Sequence, residues 1–501
     1  MVFSSYAFIF GFLPIMIVGF YLLKYLNYHR ASNIFLVLGS LFFYAFWNVL
    51  YLPILVGSIL INYLIASRIL SIKSAKLGGG GSKSLLIIGI ILNLSLLGFF
   101  KYTDFLLENF NLFNQILNLN FNIPLPHIVL PLAISFFTFQ QIAFLTDCYK
   151  NVDINDLREH GKKIDFIDYC LFISFFPQLI AGPIVHHKEM MPQFKANENL
   201  STQYQSIAKG LFIFSIGLFK KVFIADSFAK WANAGFSYVE NGGVMNIIES
   251  WVTSLSYTFQ LYFDFSGYCD MAIGLGLMFG IILPINFNSP YKSLSITEFW
   301  RRWHITLGRF LKDYLYIPLG GNRFGKILTL RNLFIVAFLS GIWHGAGWGF
   351  VIWGALHGVA MVIHRIYLYF DISLRYANSK IYKIFCWFIT FNFLNITWIF
   401  FRSQNLDGAL NLLKGMFGVV WIELPQKLRF PLILEQIGGR NDTIIYLIIA
   451  LIITLILKNS IEMLNSFKPN LKNAIFAGLL LYIALITLSI TPYVEFMYFN
   501  F

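Results

Sequence analysis

Apolar runs long enough to cross a lipid bilayer recur from one end of this 501-residue chain to the other. They lie near 3–23, 31–47, 49–70, 84–100, 128–146, 166–181, 207–219, 251–263, 269–285, 332–343, 349–363, 383–401, 443–457 and 471–491. Crossing the hydrocarbon takes about 20 helical residues. Inside lipid the backbone must bond to itself, which leaves only helices or a closed barrel. These runs predict an all-α polytopic membrane protein with about 11–14 membrane segments. Several runs are short and broken by Gly or Pro, so some are expected to be re-entrant or tilted. No stretch between them is long enough to fold as a soluble domain, and no internal repeat is visible. Residues 1–501 therefore read as one integral membrane unit.

Charge agrees with this. Only 12% of residues are charged, where a soluble domain carries about 25%. The net charge of +13 does not point to nucleic acid, because basic loops are what the positive-inside rule produces. Lys24 and Arg30 follow the first run; Arg68, Lys73, Lys76 and Lys83 follow the third; Lys150, Arg158, Lys162 and Lys163 follow the fifth. These loops fit the cytoplasm if the N-terminus is outside. The most basic stretch holds Lys292, Arg301, Arg302, Arg309, Lys312, Arg323, Lys326 and Arg331 and should share that side. The loop 402–442 mixes both signs and fits the opposite face. No cleavage site follows the first run, which is expected to be a retained helix. Cys148, Cys170, Cys269 and Cys386 have no metal or redox spacing and read as reduced core or interface residues. Gly78 to Ser82 reads as a flexible linker.

The segment Ser340-Gly341-Ile342-Trp343-His344-Gly345-Ala346-Gly347-Trp348 puts a histidine boxed by glycines into membrane-depth sequence. A titratable ring is costly there. His344 fits a structural histidine, a proton relay or a general base, and neutral imidazole suits the last of these. Gly341, Gly345, Gly347 and Gly349 would leave room for something to approach the backbone. Asp264 and Asp270 are also at depth and should be paired, with an Arg of 301–309 as one candidate partner. His186, His187, His357 and His364 read as loop and helix-end residues. No HxxxH–carboxylate set has metal-site spacing, so no metal is expected.

Residues 286–323 carry the other candidate chemistry. Ser295 and Glu298 form a capping-box pattern and predict a helix start. Ile296, Phe299, Trp300, Trp303, Leu307, Phe310, Leu311 and Tyr314 fall on one face; Arg301, Arg302, Arg309 and Lys312 fall on the other. This predicts an amphipathic helix at the cytoplasmic interface. His304 sits about 80° from the apolar centre, neither fully buried nor on the basic face. The basic face fits anionic lipid headgroups or a phosphate-bearing substrate. The following PLGGNR turn lacks the GK[ST] of a phosphate-binding loop.

Three motifs, FWRRWHITL…DYLYIPLGGNR (299–323), QLYFDFSGYCDMAIG (260–274) and SGIWHGAGWGFVIWGALHG (340–358), resemble those of the membrane-bound O-acyltransferases. The likeness is to the bacterial branch of alginate and peptidoglycan O-acetyltransferases. PLAISFFTFQQIAFLTDCYK (131–150) and FFPQLIAGPIV (175–185) fit the same branch. The resemblance implies a ring of helices thinned at its centre, with a tunnel joining the two faces. Its core motifs lie in 131–364, and extra C-terminal helices in about 383–491. It implies His344 and His304 as catalytic residues. Arg301, Arg302, Trp303, Arg309, Trp343, Trp348 and Asp264 become donor- or substrate-binding candidates. Acetyl-CoA would be the cytoplasmic donor, and a cell-envelope polysaccharide the acceptor, in the bacterial inner membrane. A hydrolase-like extracytoplasmic partner would complete transfer. The competing readings are a D-alanyl transferase for teichoic acids and a proton-coupled transporter or flippase using His344, Asp264 and Asp270. The latter predicts inverted repeats, and the sequence has none visible.

Overall fold

In a computed structural model, residues 1–74, 79–119, 121–150, 164–195, 200–370, 379–490 and 496–497 are described. Lys76, Gly78, Arg158, Lys162 and Lys163 lie outside them. Every regular element among the described residues is helical. Seven helices are long and apolar enough to cross a membrane: Ala7–Tyr25, Val49–Lys73, Gly81–Ile116, Lys326–His344, Trp348–Phe370, Lys380–Arg402 and Leu471–Ile490. The protein is a multi-pass membrane protein.

The elements used below are α1 (Leu13–Tyr25), α2 (His29–Ala45), α3 (Leu52–Ser74), α4 (Gly79–Ile116), α5 (Ile134–Lys150), α6 (Phe166–Ser174), α7 (Leu200–Phe219), α8 (Asp226–Glu240) and α9 (Ile247–Met278). Then come α10 (Ile296–Arg302), α11 (Ile305–Leu311), α12 (Lys326–His344), α13 (Trp348–Tyr367), α14 (Lys380–Arg402) and α15 (Leu406–Met416). The chain closes with α16 (Asn441–Leu455) and α17 (Leu471–Ile490). Gly79 to Ser82 are the first turn of α4, so the glycine run does not act as a linker there.

The centre of the bundle is α9. The runs 251–263 and 269–285 are not two segments: residues 247 to 278 form one helix, buried along nearly its whole length. Ser254, Ser256, Thr258, Gln260, Asp264, Ser266 and Asp270 lower its hydropathy, yet all are buried. They meet protein instead of lipid, which is why hydropathy reads a break where there is none. Its partner is α7. A Cβ on Gly210 would meet the Gly274 carbonyl oxygen at 2.6 Å, and one on Gly217 would meet that of Gly267 at 2.6 Å. The relation is reciprocal for Gly267 and Gly274. Glycine pairs seven residues apart on both helices thus let the backbones touch, the small-residue packing expected between membrane helices.

Below this contact a wide helical turn, Lys220–Ala225, aims two consecutive lysines at α9. Lys220 pairs with Asp270 at 2.7 Å; Lys221 pairs with Asp264 at 2.9 Å and Asp226 at 2.7 Å. The expected Arg partner for Asp264 is therefore wrong. Its carboxylate is neutralised locally, as a buried charge requires. Cys148, Cys170 and Cys269 are buried free thiols, and Cys386 is half-buried.

Candidate active site

The expected amphipathic helix over 295–314 is broken in two at the motif histidine. Ser295 does cap α10, accepting from the Glu298 N–H at 3.2 Å. Trp303 is then extended, and His304 is left-handed at φ 45°, ψ 52°. A non-glycine residue in that region costs about 1–2 kcal/mol. The passing segment 286–288 holds the break open. Asn288 N–H donates to the Arg302 carbonyl at 2.9 Å, and Ile305 N–H to that of Asn286 at 3.0 Å. The Asn286 side-chain oxygen accepts from both the N–H and the hydroxyl of Thr306, at 3.1 and 2.7 Å.

The break turns His304 inward. It is fully buried, where the helical wheel put it on a flank. Its ring lies edge-on to Phe265 at 4.9 Å and 6.4 Å from the Trp343 indole. Neither ring nitrogen has a hydrogen-bond partner among the described residues. A strained, buried imidazole with both nitrogens unpaired is costly twice over, and such features cluster at functional sites.

His344 is the last residue of α12 and is buried. Its ring lies 4.7 Å from that of Trp343, 5.2 Å from Trp353 and 5.2 Å from Phe401. Trp343 is thus a ring neighbour of both motif histidines. Phe401 also lines a cavity of about 750 Å³ whose wall includes Asn109, Tyr257, Gln260, Trp348 and Arg402. Trp348 sits at the exposed rim, its indole N–H donating to Asn109 at 3.0 Å. Asp264 supports the wall: it accepts from the N–H of Met497, a lining residue, at 3.0 Å.

The glycines around His344 do a different job from the expected one. A Cβ on Gly341 would fall 2.5 Å from the Gly354 Cα, and one on Gly349 would fall 2.3 Å from the Phe400 carbonyl oxygen. What passes close to this backbone is the protein's own α13 and α14. Only Gly347 has ordinary space, with Phe350 at 3.6 Å.

The basic residues divide. Arg301 is exposed. Arg302 holds Glu298 at 2.9 Å. Arg309 clamps Glu189 through both terminal nitrogens. Trp303 is buried in an aromatic core with Phe299, Phe287 and Trp398, at 5.5, 5.0 and 5.1 Å.

Sequence reasoning missed four contributors. His357 is not a helix-end residue: it is buried in mid-α13, accepts from the Trp300 indole at 3.2 Å, and pairs with the Thr397 hydroxyl at 3.1 Å. Its i−4 neighbour Trp353 faces His344, a spacing visible in the sequence. Lys101 and Tyr102 of α4 bond the carbonyls of Trp343 and Ile342; no local pattern links them to position 344. His364 does lie in the last turn of α13, bonded to Thr297 at 2.8 Å.

Comparison with known proteins converges on the same segment. The membrane-bound O-acyltransferase family model matches residues 100–402, a span that runs from the α4 supports of His344 to the end of α14. The chain is 49% identical to the peptidoglycan O-acetyltransferase of Helicobacter pylori, over 100% of this chain and 98% of that protein. It is 40% identical to the probable alginate O-acetylase AlgI of Pseudomonas aeruginosa, over 90% of this chain and 81% of that one. A more distant relative is the teichoic acid D-alanyltransferase of Streptococcus thermophilus, 24% identical over 54% of this chain and 68% of that one. With both motif histidines buried beside one indole, inside the segment that the family model covers, the chain belongs to the membrane-bound O-acyltransferase family and is an acyltransferase.

Proposed function

We propose that this protein O-acetylates a cell-envelope polysaccharide outside the bacterial inner membrane, with acetyl-CoA as the cytoplasmic donor. The observation that carries the reading is the pairing of His304 and His344 around Trp343, with His344 packed against Phe401, a lining residue of the cavity. Acetyl transfer needs a base for the attacking hydroxyl and a site that excludes water. His344 is the base. His304, with two unpaired nitrogens, orients the thioester or its carbonyl oxygen. The names of the two relatives matched over most of the chain support acetate as the group and a polysaccharide as the acceptor.

The direction follows from charge. Lys326 stands at the start of α12, with Arg331 in its second turn, and His344 at its end, about 27 Å from Lys326 along 18 helical rises. With the basic end in the cytoplasm, His344 approaches the far face. The cavity rim at Trp348 then admits the acceptor or a hydrolase-like partner. On the donor side Arg301 and Lys312 are exposed and hold no carboxylate among the described residues, and Arg301, nearer the His304 break in sequence, is the first candidate for CoA phosphate. Two other side chains of that face, Arg302 and Arg309, are held by Glu298 and Glu189 and position α10 and α11.

The test is ester-linked acetate released by mild base from purified envelope glycans of wild type, deletion and His344→Ala strains. Loss of acetate from one glycan in both mutants names the acceptor. Full acetate in every glycan of the His344→Ala strain, at normal protein abundance, would sink the reading.

A further inference from the structure

Away from the two motif histidines, the end of α5 meets the turn before His187–Met190. Asp147, His186 and His187 converge there, one ligand atom from each lying within 4.8 Å of the others. Asp147 Oδ2 lies 2.9 Å from His186 Nε2 and 3.5 Å from His187 Nδ1. The Tyr314 hydroxyl closes the cluster, donating to Asp147 Oδ2 at 2.7 Å and meeting His186 Nε2 at 2.6 Å. All three ligating side chains are largely buried, with side-chain exposures of 6%, 14% and 1%.

The chemistry and the spacing agree. Two imidazoles and a carboxylate form a borderline donor set that suits zinc and its neighbours. Zinc–nitrogen and zinc–oxygen bonds of about 2.0–2.1 Å put tetrahedral ligand atoms about 3.3 Å apart. The two separations from Asp147 bracket that value, and all three ligand atoms lie within 4.8 Å of one another, so the two imidazoles would have to draw together by at most about 1.5 Å to share one ion. The donors also differ in which nitrogen they present. His186 offers Nε2 and His187 offers Nδ1, which lets two adjacent residues reach one point. The outer contacts are those of a held site: the Phe144 ring lies edge-on to His187 at 5.5 Å, and Glu189, two residues on, is clamped by Arg309.

We propose that Asp147, His186 and His187 form a binding site for one divalent cation of the zinc class, with Tyr314 hydrogen-bonding the carboxylate. Three protein ligands leave the fourth position for water or an anionic oxygen. The ion ties the end of α5 to the 186–190 turn. Tyr314 and Arg309 connect that turn to α11, which begins at the His304 break. The site is thus joined to the active site through structure and not through contact with it.

The protein, purified in detergent and stripped with a chelator, is titrated with zinc against a chromophoric competitor, and its metal content is measured by mass spectrometry. One zinc per chain is expected in the wild type. Asp147→Asn and His187→Ala should each weaken it by tenfold or more, and Tyr314→Phe, which removes the hydrogen bond to the carboxylate, should weaken it by about tenfold, whereas His344→Ala should bind as the wild type does. Correct folding of each variant is read from its gel-filtration profile. Absence of saturable stoichiometric binding in the wild type overturns the proposal without any variant. Equal binding by a folded His187→Ala protein overturns it too, and leaves the cluster as a hydrogen-bond network. Because His344→Ala serves as a binding-competent control, the result stands apart from whether acetyl transfer is the reaction.

Discussion

The Lys101 ammonium, from the middle of α4, donates to the backbone carbonyl of Trp343, the residue before His344. Beside it the Tyr102 hydroxyl donates to the Ile342 carbonyl at 2.7 Å. Both carbonyls lie in the last turn of α12, where no i+4 N–H remains because the chain turns extended at Gly345. Cations and donors are favoured at a helix C-terminus. Two residues some 240 positions upstream therefore cap the helix whose final residue is the catalytic candidate.

Lys101→Met keeps most of the apolar volume and removes the cap. The His344 ring then loses its fixed position, and misplacement of a catalytic group costs about 10²-fold. We expect kcat to fall by about that factor with KM little changed. Steady-state kinetics on the purified protein with a soluble acceptor reads this directly; a wild-type kcat would remove Lys101 from the positioning role.

His304→Gly separates stability from function. Glycine adopts φ 45° without penalty, so relief of backbone strain offsets part of the lost packing. The variant should unfold within about 1 kcal/mol of wild type, in line with strain at functional positions, yet lose acetyl transfer. Thermal unfolding in detergent beside an activity assay checks both. An active His304→Gly protein would mean that the imidazole is only structural.

Gly341→Ala and Gly347→Ala should differ sharply. At 341 the new methyl would meet the Gly354 backbone at 2.5 Å. Backbone cannot swing aside, so overpacking of about 1–3 kcal/mol is expected. At 347 the backbone is extended and the nearest atom is 3.6 Å away, so a change within about 0.5 kcal/mol is expected. Chemical denaturation of the two variants side by side decides it.

Lys221→Met should be strongly destabilising, because it strands Asp264 and Asp226 in the bundle. Removing one partner of a buried ion pair costs about 3–5 kcal/mol. Adding Asp264→Asn and Asp226→Asn should restore much of the loss. A triple variant no better than the single one, by melting temperature, would argue that the lysine acts by shape and not by charge.

Hydropathy made the membrane class legible, and the Ser295 cap and the helix ends near 344 and 348 followed from local pattern. The helical wheel failed at His304 because it assumes one continuous helix. The break there is made by Asn286 and Asn288, which lie outside the window that the wheel scans. His357 failed for a related reason: its partners, Trp300 and Thr397, sit on other helices. The cluster of Asp147 with His186 and His187 has no spacing signature at all.

What the sequence determined by itself was the solvent in which the chain folds and the residues that lipid would penalise. Both depend only on composition along short windows, since the transfer cost of a side chain is local. What the tertiary structure decided was pairing. It set Lys221 against Asp264, α4 against the carbonyls before His344, and α13 and α14 against the glycines around it. A buried polar group is tolerable only with its partner in place, and that partner is chosen by helix packing across hundreds of residues.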